Sequence, residues 1–150
     1  MTNRRNLIMG LSALAAWTRC AGTAEAQGLP PPAVESVVKT LVGDATPIGG
    51  RISLDLPEIA ENGNTVPYTV RVESPMIDGD YVKAVHLLAP ANPHPRIGSF
   101  FFTPQSAKAS ISSRMRLAQS QEVVVYAEMS NGAIYTAKRS VKVTIGGCGG

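Results

Sequence analysis

The segment Thr65-Val66-Pro67-Tyr68-Thr69-Val70-Arg71-Val72-Glu73 decides the fold class. Val66, Tyr68, Val70 and Val72 recur at a period of two, so one row of side chains can face a core while the other faces water. The same alternation occurs just upstream, where Ile52, Leu54 and Leu56 interleave with Arg51, Ser53 and Asp55, and Asn62-Gly63 marks a turn between the two segments. Working outward, further strands are predicted at residues 82–89, 97–103, 108–117, 122–129 and 133–145. Turn signals fall at Asp78-Gly79, Pro93-His94-Pro95 and Asn131-Gly132. The last run is long enough to predict a bend or bulge. Seven short strands with turns roughly every ten residues predict an all-β, immunoglobulin-like antiparallel β-sandwich. There is no Cys-Trp-Cys framework, so the likeness to antibody domains is architectural. Ahead of the strands, Val34, Val37, Val38, Leu41 and Val42 follow helical spacing and Gly43 supplies a stop, which predicts one short amphipathic helix after Pro30-Pro31-Pro32.

With 150 residues, 44% hydrophobic and 17% charged, the chain suits a single folded domain and excludes a disordered polyelectrolyte. Its N-terminus has the grammar of an export signal. Arg4-Arg5 precedes a mild apolar run to Trp17, and Ala24-Glu25-Ala26 offers a small-residue cleavage site. The run is too short to span a membrane. Paired arginines point to the twin-arginine route, which carries folded cargo, with an ordinary secretory signal as the alternative. Lipid attachment at Cys20 is disfavoured because Trp17-Thr18-Arg19 stands where small residues are needed. The expected organisation is a removed signal at residues 1–26, a sandwich with its helix at 27–145 and an arm at 146–150. Loss of Arg4, Arg5, Arg19 and Glu25 lowers the formal charge from +3 to about +1, which removes the electrostatic argument for a nucleic-acid partner. A periplasmic protein with no membrane anchor is expected.

Most catalytic constellations are missing. His86 and His94 have no metal-site spacing with Cys148. His86 reads as a packed or surface strand residue and His94 as a loop residue without a chemical role. Asp78 and Asp80 read as turn formers around Gly79 rather than calcium ligands. Phe100-Phe101-Phe102 reads as a core strand with one ring left over for a partner interface, since alternate residues face opposite sides. The apolar surplus of residues 82–103 makes that region the expected partner-binding face.

The terminus differs in kind. Gly146-Gly147-Cys148-Gly149-Gly150 surrounds a cysteine with residues that bury no side chain and lose the most entropy on ordering, so it is expected to stay mobile. Five residues give a tether of roughly 16 Å. Without Cβ atoms on its neighbours, Cys148 can enter a channel closed to bulkier side chains. Once the signal is removed it is the single cysteine left, and an unpaired cysteine in an oxidising compartment suggests a reactive or intermolecular thiol. Sulfur bonds reversibly to sulfur, so these features describe a carrier: Cys148 is the attachment point, and Gly146, Gly147, Gly149 and Gly150 are its flexible arm. No cation neighbours Cys148 in sequence, so activation is expected from a partner enzyme. The alternatives are a thiol redox protein, or a β-sandwich interaction module dimerised through a Cys148 disulfide.

The terminal five residues resemble those of the SoxY family, the sulfur-carrier subunit of the periplasmic Sox thiosulfate-oxidation system. So do Leu54-Asp55-Leu56-Pro57-Glu58-Ile59-Ala60-Glu61-Asn62-Gly63-Asn64-Thr65-Val66-Pro67, Val72-Glu73-Ser74-Pro75-Met76, Phe102-Thr103-Pro104 and Ala127-Glu128-Met129-Ser130. The resemblance implies an immunoglobulin-like sandwich that pairs with SoxZ, which has no export signal and travels with it. It implies that Cys148 receives thiosulfate as a cysteine S-thiosulfonate made by the haem enzyme SoxAX, that the hydrolase SoxB releases sulfate, and that SoxCD, where present, oxidises the remaining sulfur. The chain itself is then a platform rather than an enzyme, with no cofactor or metal of its own.

Overall fold

The computed structural model describes residues 34–146. Helix α1 (Val34–Val42) is followed by nine strands: β1 (Ile48–Gly49), β2 (Ile52–Asp55), β3 (Ile59–Asn62), β4 (Val66–Val72), β5 (Val82–Leu88), β6 (Arg96–Phe101), β7 (Ala109–Met115), β8 (Gln121–Met129) and β9 (Ile134–Ile145). One sheet has the order β1-β9-β8-β5-β6, with β3 also on β9, and the other has β2-β4-β7. The sequence therefore placed the helix and seven of the strands to within a few residues, and the immunoglobulin-like β-sandwich holds.

The core lies between the sheets. Val66, Tyr68, Val70 and Val72 point into it from β4, where they meet Val85, Leu87, Val123, Val125 and Val141 from the larger sheet. Full burial of a side chain such as Leu87 stabilises the fold by about 1.5–3 kcal/mol. Because β4 and β7 pair without a register shift from Val66↔Met115 to Val72↔Ala109, the whole apolar row stays on one face.

Strands β1 and β3 do not show in the sequence pattern. Both pair in parallel with β9, at Ile48↔Tyr135 and at Ile59↔Lys142 through Asn62↔Ile145. They are short and mostly exposed, so their strand state comes from a distant partner and not from alternation. The long β9 keeps an unbroken register with β8 and spans its length by exchanging β1 for β3 along one edge. The register shifts occur instead in β5, between Val82 and Ala84 and between Leu87 and Leu88.

β5 is buried on both faces. Val85 and Leu87 belong to the central core. Ala84, His86 and Leu88 are buried on the outer side of the sheet with Val124 and Ile134. Helix α1 lies on this outer side: Val42 is buried, and the helix shares one hollow with His94 and Arg96 and another with Tyr126. Much of the apolar surplus at residues 84–89 is thus consumed inside the fold. What remains outside is Phe101 on the edge strand β6, 76% exposed. No helix among the described residues is long and apolar enough to cross a membrane.

Candidate functional site

Strand β9 ends at Ile145, and Gly146 is the last described residue, two positions before Cys148. The site that can be built from contacts is therefore the corner from which the terminal segment departs. Cys148, Gly147, Gly149 and Gly150 lie outside the described residues, as do Arg4, Arg5 and the remainder of residues 1–26.

Four segments converge on this corner. The Asn62-Gly63 turn folds through an Asn62 side-chain oxygen that accepts the Asn64 N–H at 2.9 Å. Gly63 then donates to the Ile145 carbonyl at 2.8 Å and accepts from Leu117 N–H at 2.7 Å, linking the end of β9 to the β7–β8 connection. Thr144 Oγ1 donates to the Glu61 carbonyl at 2.9 Å. The Ser120 hydroxyl accepts from Val143 N–H at 2.8 Å and donates to Val143 O at 3.3 Å, so one side chain satisfies both backbone groups of a β9 residue past its last pair with β8.

Behind these contacts lies Asn92, one of two buried polar or charged side chains among the described residues and 7% exposed. Its Nδ2 donates to Arg116 O at 2.8 Å, while Oδ1 accepts from Ala118 N–H at 2.9 Å and from Gln121 Nε2 at 2.9 Å. Gln121 Oε1 in turn accepts the Ala91 N–H at 2.9 Å. Every polar atom of the buried amide is engaged, which is what burial demands. Sequence reasoning missed Asn92, Gln121 and Ser120. The sole local signal was Asn92 before Pro93, which reads as loop punctuation and says nothing of partners 24 to 29 residues away.

The other singled-out residues lie elsewhere. His86 packs in the outer layer, 5% exposed, with Nδ1 at 2.8 Å from Ser99 Oγ and its ring edge-on to Phe101 at 6.3 Å. Burial pushes its pKa below the usual imidazole value; the Glu128 charge opposes that shift and Arg96 adds to it. His94 is exposed beside α1, in a hollow of about 340 Å³ shared with Ser36, Thr40, Leu41 and Arg96. Asp78 and Asp80 bracket a turn in which Gly79 has φ +88° and the Ile77 and Asp80 backbones bond to each other in both directions. Phe102 packs against the core, whereas Phe101 is the outward ring. Among the described residues no cluster of His, Cys, Asp or Glu has the geometry of a metal site.

The described residues define a class, an immunoglobulin-like sandwich whose final strand is tied into a corner, and the sequence runs on from that strand to a glycine-flanked cysteine. The family model described as sulfur oxidation protein SoxY matches residues 38–148, through Cys148 itself, and the chain belongs to the SoxY family. Among solved structures, the sulfur carrier protein SoxY from Chlorobium limicola f thiosulfatophilum is similar at 33% identity and a TM-score of 0.64, with 75% of this chain and 97% of that chain covered. The superoxide reductase (neelaredoxin) from Ignicoccus hospitalis shares 16% identity at a TM-score of 0.56, covering 63% of this chain and 80% of its own, a likeness of fold alone. No curated protein matches the chain. Family and structural match together support a carrier role in sulfur oxidation, with partners of the Sox system in general.

Proposed function

We propose that the chain is a covalent carrier of thiosulfate-derived sulfur, with Cys148 as the attachment atom and Gly146, Gly147, Gly149 and Gly150 as the arm that presents it to partner enzymes. The observation that carries this reading is the family match running through Cys148 in a segment with no other side chain. In the loading step the Cys148 thiol and thiosulfate form an S–S bond, giving a cysteine S-thiosulfonate. The thiol loses its proton, and two electrons pass to the partner that performs the oxidation, SoxAX by family resemblance. Water then cleaves the bond to the sulfonate group, as a SoxB-type hydrolase would do, releasing sulfate and leaving a persulfide on Cys148. SoxCD, where present, would oxidise that sulfur further. The chain does no chemistry alone in this scheme, which suits a thiol without a neighbouring base in sequence.

The reading includes a heterodimer with SoxZ and export to the periplasm through Arg4-Arg5, the twin-arginine route being suited to a pair folded before export. Mass spectrometry of the C-terminal peptide from thiosulfate-grown cells tests it. Thiosulfonate or persulfide adducts on Cys148 are expected. Sulfenic acid would favour a thiol redox protein instead, and free thiol or disulfide dimer alone would favour an interaction module. Cys148→Ser is expected to abolish thiosulfate oxidation with an unchanged unfolding midpoint.

A further inference from the structure

Glycines of this fold are required for two different reasons. Gly43, Gly50, Gly79 and Gly132 adopt positive φ in turns and have nothing within 4 Å of the place a Cβ would occupy. Gly146 is the reverse case. Its φ is ordinary, but a Cβ there would collide with the Ala118 carbonyl oxygen at a separation real side chains do not reach. Although it belongs by composition to the terminal arm, Gly146 is seated against the body of the sandwich.

Asn92 bonds to the turn that carries this carbonyl. The Ala118 carbonyl is set by the turn it belongs to, and Asn92 fastens that turn from both sides, through Arg116 O and Ala118 N–H, while Gln121 locks the orientation of the amide. The Gly63 backbone joins Ile145 to Leu117, so the end of β9 and the turn are clamped as one unit.

We propose that Asn92 is a positioning residue for the end of β9: it holds the turn whose Ala118 carbonyl faces Gly146, and so fixes where the chain leaves the sandwich ahead of Cys148. The inference rests on the carrier reading for its purpose but not for its geometry. Two residues of chain reach at most about 7 Å, whatever their conformation. A partner enzyme must then dock around residues 62–64, 90–93 and 116–121, because the thiol cannot travel to a distant face.

The test uses the full chain carrying Cys20→Ser, so that a nitroxide can be attached to Cys148 alone, with broadening of backbone amide NMR signals as the readout. In the parent chain broadening is expected to concentrate on residues 62–64, 90–93 and 116–121. Asn92→Ala and Gly146→Ala should each spread that footprint, reducing broadening at the corner at least about twofold, whereas Gly149→Ala, beyond the seat, should leave it unchanged. In the unlabelled proteins, reaction of Cys148 with a small aromatic disulfide should keep its parent rate in all three variants. Turnover by the partner enzymes should fall in Asn92→Ala and Gly146→Ala while that rate is kept, a split that general destabilisation does not produce. Should Asn92→Ala fail to fold, Gly146→Ala decides the matter from the exposed end of β9. An unchanged footprint in Gly146→Ala overturns the proposal, even where sulfur adducts on Cys148 uphold the carrier reading. A spread footprint without any adduct upholds the seat and overturns the carrier reading.

Discussion

The corner at the end of β9 and the layer beneath α1 are stabilised by different physics. Under the helix, Leu88, Ala84, Val124, Ile134 and Val42 are excluded from water, and the contact is non-directional. Thr136 Oγ1, on the strand beside Tyr126, is buried there without a hydrogen-bond partner. At the corner the ties are directional, and both polar atoms of the Asn92 amide are engaged. An apolar layer can shift by fractions of an ångström and lose little. A hydrogen-bonded corner holds its geometry or breaks, because bond strength falls steeply with angle and an orphaned buried amide costs about 1–3 kcal/mol.

Mutations can break or sharpen this contrast. The largest effect is expected from Leu88→Ala in the apolar layer, which should lower unfolding free energy by about 2–4 kcal/mol in denaturant titration through lost burial and a residual cavity. It should leave the footprint of a Cys148-attached label in place. If it displaced that footprint as far as Asn92→Ala does, the two regions would not be independent. A smaller effect of opposite sign is expected from Thr136→Val, which removes the unpartnered hydroxyl and should raise the unfolding midpoint by up to about 1 kcal/mol in free-energy terms.

The smallest effect is a pH dependence in the same layer. The native pKa of His86 is depressed, mainly by burial, so its contribution to stability is fully present above the unfolded value near 6.5. It is lost as pH falls from there through the lower native value, because the unfolded chain takes up the proton first. His86→Gln should therefore flatten the fall in thermal midpoint between neutral and mildly acidic buffer. An undiminished slope in that variant would assign the acid sensitivity to other groups. The corner contains no histidine and should show no such dependence.

Much of this was readable in the chain. Alternation in residues 66–72 reflects a sheet with one face toward a core, and that pattern is written locally wherever burial follows the pleat. The double burial of β5 was visible as an apolar excess at residues 84–89, yet its meaning was not. An apolar residue covered by the chain's own helix and one awaiting a partner look the same in sequence. Strands β1 and β3 were silent because parallel pairing with β9 gives their exposed residues no alternating face.

The sequence by itself determined the sandwich, the leading helix and the glycine-flanked thiol, since each depends on residue types at short spacing. Tertiary structure alone decided that a Cβ at Gly146 would meet the Ala118 carbonyl, and that Asn92 bonds to the turn carrying that carbonyl. Both facts depend on the approach of segments 24 or more residues apart, where an amide is indifferent to its neighbours in the chain and answers only to the carbonyl and N–H groups that folding brings to it.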